Sequence, residues 1–403
     1  MVIMLSFMLK PTSFQCNIKC DYCFYLEKEA FMEKNPHSIR MSLDIARHFI
    51  TQHIQQTPSN DVFFTWQGGE PLMAGLDFYQ SAIEIQQEIA KPLGKKVHNA
   101  IQTNGILINE KWADFFKKHN ILVGISIDGD EELHNKYRLN TSGRGTFQQV
   151  KQAITLLKNA NVEFNTLTVI NNINAQYPKR VYQFLKELGS RFMQFIPVVE
   201  TLGVDQHFKP SWIANGSIIP VTTNFSVSAE QYAQFMNQIF DEWLIKDVGK
   251  ISVQLFDAIF ARYCGFESSM CIYREKCGGE NLALEANGDV YSCDHFVYPE
   301  YKIGNIKHLS ESEIQQKTTT LSAKKQQLNS QCKSCQWLDL CHGGCPKHRF
   351  ITNKQGDKHN YFCQSYQQIF QHLMPAMNFM VTLHSQNYPL ELVSVYRDRI
   401  YNN

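Results

Sequence analysis

The chain has 403 residues, of which 43% are hydrophobic and 19% charged, and its formal net charge is +1. This composition is typical of a globular protein that buries a large core, in several domains or in one barrel with an appendage. The balanced charge and the lack of an apolar run of about 20 residues argue against nucleic acid and membrane as partners, and we expect neither.

The start of the chain, MVIMLSFMLKPTSF, is apolar but has neither a basic leader nor a small-residue cleavage site. We therefore expect it to form a buried first strand rather than a signal peptide. The expected compartment is the cytoplasm, where thiols stay reduced.

Short apolar segments rich in β-branched and aromatic residues alternate with helical patterns as far as about residue 199. One helical pattern is TFQQVKQAITLLKNA, whose apolar residues form a single stripe. Six strand–helix units with right-handed crossovers predict an α/β fold with a parallel sheet, open or partly closed as a barrel. The candidate strands are 7–11, 62–66, 97–102, 121–127, 162–169 and 192–196.

The pattern changes beyond this region. Segment 201–226 lacks periodicity and is rich in Gly, Pro, Ser and Asn, so we expect a long loop there. Helices are predicted to resume at 228–246 and at 252–263.

The last third of the chain is rich in cysteine and has few regular patterns. The pair Asn287-Gly288 between alternating segments predicts a β-hairpin. A helix is predicted at 364–382, interrupted or kinked near Pro375, because proline lacks the amide that a helix interior requires.

The 12 cysteines fall into two groups. Three lie at positions 16, 20 and 23, none occurs between Cys23 and Cys264, and nine lie from position 264 to position 363. Dense groups in a large chain with reduced thiols favour metal or iron–sulfur ligation over disulfides.

The first group has the spacing CxxxCxxC, in the sequence CNIKCDYC. One loop could bring these three thiolates to a single 4Fe–4S cluster, whose fourth iron would then be open to a small molecule. A zinc site completed by a distant residue, or three unrelated core cysteines, remain alternatives.

Polar, glycine-containing turns follow the predicted strands. QGGEP (67–71) follows the second strand, TNG (103–105) the third and SIDG (126–129) the fourth. Because the carboxyl ends of parallel strands meet at one edge of the sheet, these turns predict one shared site.

The sequence CNIKCDYCFY together with GGEP resembles the radical S-adenosylmethionine (SAM) enzymes. The resemblance implies that Cys16, Cys20 and Cys23 hold a 4Fe–4S cluster whose open iron binds SAM. One electron then cleaves SAM and releases a 5′-deoxyadenosyl radical. The SAM contacts that it implies are Gly68, Gly69 and Glu70 at the amino group, Ser126 and Asp128 at the ribose, and Arg138 at the carboxylate.

Each of these motifs also has an ordinary structural interpretation. A Gly-Gly pair can serve only a tight turn, and an Asp after a strand can serve only as a helix cap. An Arg taken alone is more often a solvated surface charge.

The cysteines of the second group resemble the SPASM extension of radical SAM enzymes, which holds two further 4Fe–4S clusters. The resemblance implies one auxiliary cluster on Cys271, Cys277, Cys293 and Cys345, and another on Cys332, Cys335, Cys341 and Cys363. Two structural zinc sites remain an alternative. Cys264 is left over and is expected in the core, while His295, His342 and His348 are expected beside the clusters rather than as ligands.

Nearly the whole chain resembles the anaerobic sulfatase-maturating enzymes within this group, from KPTSFQCNIKCDYCFY through TWQGGEP, VGISIDG and YSCDHF to CHGGCPKH and YFCQSY. Those enzymes oxidise a Cys or Ser in a sulfatase peptide to Cα-formylglycine. The radical takes a hydrogen atom from the substrate β-carbon, a base takes a proton, and the second electron leaves through the auxiliary clusters. The resemblance assigns the base to Asp294 and implies that Tyr22 and Val199 contact SAM and that Tyr25 and Gln67 line the substrate pocket.

The predicted organisation is a partial (β/α)6 TIM-like radical SAM barrel with its final loop (1–226), a helical linker (227–265), a SPASM domain (266–383) and a tail (384–403). Its cofactors would be three 4Fe–4S clusters and SAM. Its partners would be an unfolded or nascent sulfatase peptide and a reductant protein such as flavodoxin or ferredoxin.

Three other interpretations of the sequence remain open. A related SPASM enzyme could use the same radical to make a thioether, a crosslink or an epimer in a peptide. A protein that kept the clusters without the chemistry could transfer electrons or bind a partner. A zinc-stabilised scaffold would contain zinc and no iron.

Overall fold

The computed structural model describes residues 5–25, 28–29, 32, 39–202, 221–277, 281–352 and 357–402. The chain forms two compact units, each assembled from separate stretches of sequence. The first unit consists of Met1–Ser126, Asn135–Phe164 and Cys277–Ala323, and the second of Ile127–His134, Asn165–Lys276 and Lys324–Asn403.

The first unit is built on a mostly parallel sheet. Across the sheet its strands follow the order Lys302–Asn305, Asp289–Tyr291, Leu282–Glu285, Phe7–Lys10, Asp61–Trp66, Lys96–Thr103 and Leu122–Ser126. The last five strands of this order pair in parallel, whereas the first three form an antiparallel meander. Strands Ile18–Cys20 and Arg138–Asn140 form a separate antiparallel pair.

Helices of the first unit bury one apolar face each, as their sequence periodicity requires. Helix Leu43–Gln56 shows the pattern, because Ser42 caps its amino end and Phe49 and Ile50 are buried. The other helices of this unit are Leu76–Ala90, Glu110–Lys118, Phe147–Asn159 and Glu311–Lys317. Short 3₁₀ turns lie at Pro71–Ala74, Lys91–Leu93, Asp294–Phe296 and Pro299–Tyr301.

The second unit contains the parallel strands Phe164–Ile170, Phe192–Pro197 and Ser252–Val253 and the antiparallel pair Ile351–Thr352 and Lys358–His359. Its helices are Glu131–His134, Pro178–Leu188, Ala229–Lys246, Gln254–Tyr263, Ser330–Lys333, Leu338–Cys341, Cys363–Ser385 and Leu392–Asn402. Helix Thr319–Gln326 begins in the first unit and ends in the second. The 3₁₀ turns of the second unit are Asn174–Gln176, Cys271–Tyr273 and Pro346–His348.

The core of the second unit forms where helices Ala229–Lys246 and Cys363–Ser385 pack together. Ser228 and Gln231 close the amino end of the first helix with a capping box. Within the described part of the chain, no helix is both long enough and apolar enough to cross a membrane.

All six predicted barrel strands are present, each within about two residues of its expected limits. The Asn287-Gly288 turn joins two antiparallel strands, which confirms the predicted hairpin. Gly288 has a φ of 87°, a value that glycine adopts without steric cost. Most of the predicted loop 201–226 lies outside the described residues.

The helices predicted at 228–246, 252–263 and 364–382 are present as Ala229–Lys246, Gln254–Tyr263 and Cys363–Ser385. Two local predictions differ from the structure. Helix Cys363–Ser385 is not interrupted at Pro375, since its long buried face outweighs the one missing hydrogen bond. Cys264 is half-buried at the end of helix Gln254–Tyr263 rather than in the core.

Candidate functional site

The three-cysteine loop follows strand Phe7–Lys10 in the first unit. None of the three cysteines forms a disulfide, Cys20 is buried, and the backbone amide of Cys23 donates to the carbonyl of Cys20 at 3.1 Å. Burial raises the pKa of the Cys16 thiol to about 12, although the side-chain amide of Asn104 donates to its sulfur at 3.6 Å. A protonated thiol does not bind iron, so cluster binding must displace its proton.

The Gly68-Gly69 turn is fixed tightly against the chain that leads into this loop. Gly69 has a φ of 51°, and a Cβ atom there would lie 2.0 Å from the carbonyl oxygen of Gln15. The amide of Glu70 donates to that same oxygen at 2.8 Å. The Thr12 hydroxyl donates to the carbonyls of Gly68 and Glu70 at 3.3 and 3.1 Å. The turn therefore needs glycine for close approach and not only for its backbone angle.

The carboxylate of Glu70 joins two of the turns that follow parallel strands. Its Oε1 accepts from the Leu72 amide at 3.0 Å and from the Thr103 hydroxyl at 2.7 Å. Its Oε2 accepts from the backbone amide of Asn104 at 2.8 Å. Burial nevertheless raises the pKa of Glu70 to about 7. The side chain of Glu70 thus holds the two turns together, so the SAM contact predicted from the sequence would fall to its backbone.

Arg138 lies beside the cysteine loop because its strand pairs with Ile18–Cys20, in a register that sets Arg138 opposite Cys20. Its Nη1 lies 3.9 Å from the Cys20 sulfur, and its guanidinium lies 5.5 Å from the centre of the Tyr22 ring. Arg138 is 6% exposed, so it is not the solvated surface charge that the sequence also allowed. The structure brings Arg138, Tyr22 and the cysteine loop together.

Asp294 is also buried, beside a network of polar groups in the first unit. Its Oδ2 lies 3.9 Å from the Lys10 ammonium, and the Cys293 thiol donates to its Oδ1 at 3.4 Å. The Lys10 ammonium lies 4.7 Å from the centre of the Tyr25 ring. The Tyr25 hydroxyl donates to Glu285, and burial raises the pKa of the Tyr25 phenol well above its usual range.

Four other predicted residues are divided between the two units, with Gln67 and Ser126 in the first and Asp128 and Val199 in the second. The backbone amide of Gln67 donates to the carbonyl of Leu9 at 2.8 Å. The hydroxyl of Ser126 accepts from the side-chain amide of Gln102 at 3.0 Å. Asp128 and Val199 belong to the second unit and are buried. One carboxylate oxygen of Asp128 accepts from the amide of Val169 at 3.0 Å, so this side chain also supports the neighbouring strand.

Four cysteines predicted as ligands of one auxiliary cluster line a single cavity in the second unit: Cys332, Cys335, Cys341 and Cys363. The cavity is otherwise mostly apolar, with Trp337, Tyr366 and Phe370 among its walls. The Gln367 amide donates to the Cys363 sulfur at 3.6 Å, and the Trp337 amide donates to the Cys335 sulfur at 3.5 Å. Hydrogen bonds to the ligand sulfurs are one of the factors that set the reduction potential of an iron–sulfur cluster.

Four thiols on the wall of one cavity provide the donor set that a 4Fe–4S cluster with four protein ligands requires. Four thiolates can also hold a single zinc ion, so the donor set alone does not distinguish the two metals.

The ligands predicted for the other auxiliary cluster are divided between the units, with Cys277 and Cys293 in the first and Cys271 and Cys345 in the second. Burial raises the pKa of the Cys345 thiol, and the nearby cations of Lys325, Lys347 and Arg349 oppose that rise.

Lys347 forms a buried ion pair with Glu200 in the second unit. Two of the histidines near cysteines are held by aromatic packing: His295 stacks on Phe24, and His348 lies edge-on to Phe362. Burial lowers the pKa of His342.

Sequence reasoning missed several residues of the site. Thr103 and Asn104, which hold Glu70, lie in the TNG turn but had no individual role. The sequence alone gives Lys10 no role beyond its strand and Glu285 no role beyond its hairpin. A lysine and a glutamate at the ends of otherwise apolar strands were the available signal, since a charge there needs a buried partner.

Comparison with known proteins defines the class first. Residues 11–185 match the radical SAM superfamily and residues 271–336 match an iron–sulfur cluster-binding domain, SPASM. The chain is thus a radical SAM protein with a further cluster-binding domain.

The relatives define the family. The serine-type anaerobic sulfatase-maturating enzyme of Bacteroides thetaiotaomicron is 42% identical, over 97% of this chain and 95% of its own. The cysteine-type enzyme of Clostridium novyi is 32% identical, over 93% and 97%. A solved structure, native anSMEcpe with bound AdoMet, matches with a TM-score of 0.83 at 30% identity, over 94% of this chain and 99% of that one. The chain belongs to the anaerobic sulfatase-maturating enzymes.

This membership confirms the family predicted from the sequence, the α/β radical SAM fold with a C-terminal SPASM domain, and the radical SAM oxidoreductase class. It also confirms iron–sulfur clusters and SAM as the cofactors. The predicted activity, oxidation of Cys or Ser to formylglycine, is the activity of this family.

Proposed function

We propose that this chain oxidises a Ser or Cys side chain in a sulfatase peptide to Cα-formylglycine, with Asp294 as the base. The observation that carries the proposal is the position of Asp294. It is buried, directly follows a predicted cluster cysteine and lies 3.9 Å from the Lys10 ammonium. A carboxylate is one of the groups that enzymes use as a general base, and the nearby cation holds it in place.

The cysteine loop and the turns around it would hold the cluster and SAM. Bound there, the cluster supplies the electron that cleaves SAM to the 5′-deoxyadenosyl radical. Cys16, Cys20 and Cys23 lie on one loop and form no disulfide, as a three-ligand site requires. The buried Arg138 guanidinium supplies a cation for the SAM carboxylate, and Tyr22 orients that guanidinium through its ring.

Ser126, Asp128 and Val199 are proposed to contact the ribose and adenosyl part of SAM, and Tyr25 and Gln67 to line the peptide pocket. The same resemblance supports three 4Fe–4S clusters in all, two of them on the SPASM cysteines. The peptide would be unfolded or nascent, and a small electron-transfer protein such as flavodoxin or ferredoxin would supply the reducing electron.

Lys10 is proposed as a positioning residue for Asp294. Its ammonium lies 3.9 Å from the Asp294 carboxylate and 4.7 Å from the centre of the Tyr25 ring, and Lys10 is 1% exposed. A buried cation beside a carboxylate holds that carboxylate in place by charge-assisted attraction.

The test is anaerobic. The reconstituted protein is mixed with SAM, dithionite and two sulfatase peptides that differ only in a Ser or Cys at the target position, and the products are analysed by mass spectrometry. We expect an aldehyde at the target residue, from the Ser peptide at least, because the serine-type relative is the more similar of the two compared.

Asp294→Asn provides the control, since the amide keeps the shape and cannot take a proton. It should lower formylglycine formation by roughly 100-fold or more while release of 5′-deoxyadenosine continues. Aldehyde formation at the rate of the unchanged protein would reject Asp294 as the base. Release of 5′-deoxyadenosine with both peptides unmodified would reject the substrate class.

A further inference from the structure

The loop Cys341–Cys345, with the sequence CHGGC, has an unusual backbone. Its three central residues, His342, Gly343 and Gly344, all have positive φ values, of 45°, 72° and 63°. A non-glycine residue in this region costs about 1 kcal/mol or more, so the loop needs support from its surroundings. The loop also carries one predicted ligand of each auxiliary cluster, at its two ends.

Lys325 supplies part of this support from helix Thr319–Gln326. It is 1% exposed, and its ammonium donates to the carbonyls of Gly344 and Ile272, each at 2.8 Å. Gly344 directly precedes Cys345, and Ile272 directly follows Cys271. One buried cation therefore joins the backbone next to two predicted ligands of the same cluster.

Arg349 supplies the rest. Its guanidinium donates to the carbonyls of Gly343 and His342, each at 3.1 Å, and to that of Gly344 at 3.5 Å. It also donates to the carbonyls of Lys324 and Gln327. Burying two cations is costly unless their charge is used, and backbone carbonyls return only part of that cost.

Reduction adds one negative charge to a thiolate-bound cluster, so a nearby buried cation stabilises the reduced form more than the oxidised form. We propose that Lys325 and Arg349 are positioning residues that fix the CHGGC loop and, through their charge, favour the reduced state of the auxiliary clusters. This inference rests on the ligand assignment given under the proposed function.

The proposal gives the pair a place in the reaction. Formylglycine formation removes two electrons and two protons from the side chain. One electron and one proton leave as the hydrogen atom taken by the 5′-deoxyadenosyl radical, the base takes the other proton, and the second electron needs an acceptor. Cations that favour the reduced auxiliary clusters make that last transfer more favourable.

The test is an anaerobic redox titration of the auxiliary clusters, followed by electron paramagnetic resonance, in the reconstituted chain without peptide. Replacing Cys16, Cys20 and Cys23 by Ala throughout removes the overlapping signal of the SAM-binding cluster. We expect Lys325→Gln, which keeps a hydrogen-bond donor but removes the charge, to shift the midpoint potentials to more negative values. Lys325→Arg should restore them.

Lys324→Gln is the matched control, because it makes the same charge change on the adjacent, exposed residue of the same helix. Iron and sulfide content are measured for every variant. Unchanged potentials in a fully loaded Lys325→Gln variant, or an equal shift in Lys324→Gln, would overturn the proposal.

Should Lys325→Gln lose auxiliary iron, Arg349→Gln takes its place, and the same negative shift is expected. Loss of auxiliary iron from both variants would make the role purely structural and overturn the electrostatic proposal. An unchanged chain without auxiliary iron would overturn the ligand assignment itself. Because no peptide is present, a failure to modify sulfatase peptides leaves these outcomes unaffected.

Discussion

Lys10 lies directly opposite Glu285 in the parallel pairing of strands Phe7–Lys10 and Leu282–Glu285. The Ser13 hydroxyl donates to Glu285 at 2.7 Å and the Tyr25 hydroxyl donates to its other oxygen. Burial raises the pKa of Glu285. Strand Leu282–Glu285, from the cysteine-rich part of the chain, thus extends the sheet beside strand Phe7–Lys10.

This pairing positions Asp294. The hairpin that begins with Leu282–Glu285 leads to Cys293 and then to Asp294, so its register against Phe7–Lys10 sets the approach of Asp294 to Lys10. The base and its cation come from opposite ends of the sequence and are brought together by one strand pair.

Lys10→Met tests this relationship. We expect formylglycine formation to fall by about tenfold or more, which corresponds to about 1.4 kcal/mol of activation free energy, because Asp294 loses the cation beside it. SAM cleavage should continue, so the ratio of 5′-deoxyadenosine to aldehyde should rise when both are quantified by mass spectrometry.

Lys302→Met is the control for Lys10→Met. Lys302 lies in the same sheet and pairs with Asp289 at 2.6 Å, but it is exposed. It should leave the product ratio unchanged. A normal product ratio in Lys10→Met would show that the ammonium has no part in positioning the base.

Much of this arrangement could be predicted from the sequence because it depends on local patterns. Apolar strands with polar turns at their carboxyl ends predicted the parallel sheet, and the CxxxCxxC and GGE motifs predicted which turns matter. Cys16 and Glu70 do lie in neighbouring turns, joined through Asn104.

The sequence could not predict the pairing of Lys10 with Glu285, because strand register between distant segments depends on tertiary packing. The buried positions of Lys325 and Arg349 were missed for a similar reason. Each cation is balanced by backbone carbonyls of a loop whose left-handed conformation is not visible in its sequence.

Glu70 makes stability depend on pH. Burial raises its pKa to about 7, above the value of about 4.3 for an unfolded glutamate. Between these values the folded chain binds more protons than the unfolded chain, so the free energy of unfolding falls as pH rises from about 4.5 to about 7. The full effect is at most about 4 kcal/mol.

Glu70→Gln should remove this contribution. The apparent Tm, measured anaerobically at pH 5 and pH 7.5, should then change less with pH than in the unchanged protein. Glu84→Gln, on an exposed helix face, is the control and should keep the original pH dependence. Equal pH dependence in Glu70→Gln and the unchanged protein would contradict the prediction.

The Gly68-Gly69 turn allows a matched pair of variants. Gly69→Ala would place a methyl group 2.0 Å from the Gln15 carbonyl oxygen, whereas Gly75→Ala meets nothing within 4 Å. Both glycines have positive φ, so both variants incur a backbone cost of about 1–2 kcal/mol. Only Gly69→Ala should also weaken SAM binding, by about tenfold or more, as measured by equilibrium dialysis. Equal SAM affinity in the two variants would show that the turn does not contact SAM.

The cavity of four cysteines can be tested by its iron. Cys363→Ala removes one of the four thiols that line it, and we expect up to about four fewer iron atoms per chain after anaerobic reconstitution, because the predicted auxiliary cluster loses one of its four ligands. Cys264→Ala is the matched control, since Cys264 is a free, half-buried cysteine without a predicted cluster. The iron and zinc contents are each measured by inductively coupled plasma mass spectrometry. The same iron content in both variants would place the second auxiliary cluster elsewhere, and zinc in place of iron in the unchanged chain would restore the scaffold interpretation for this cavity.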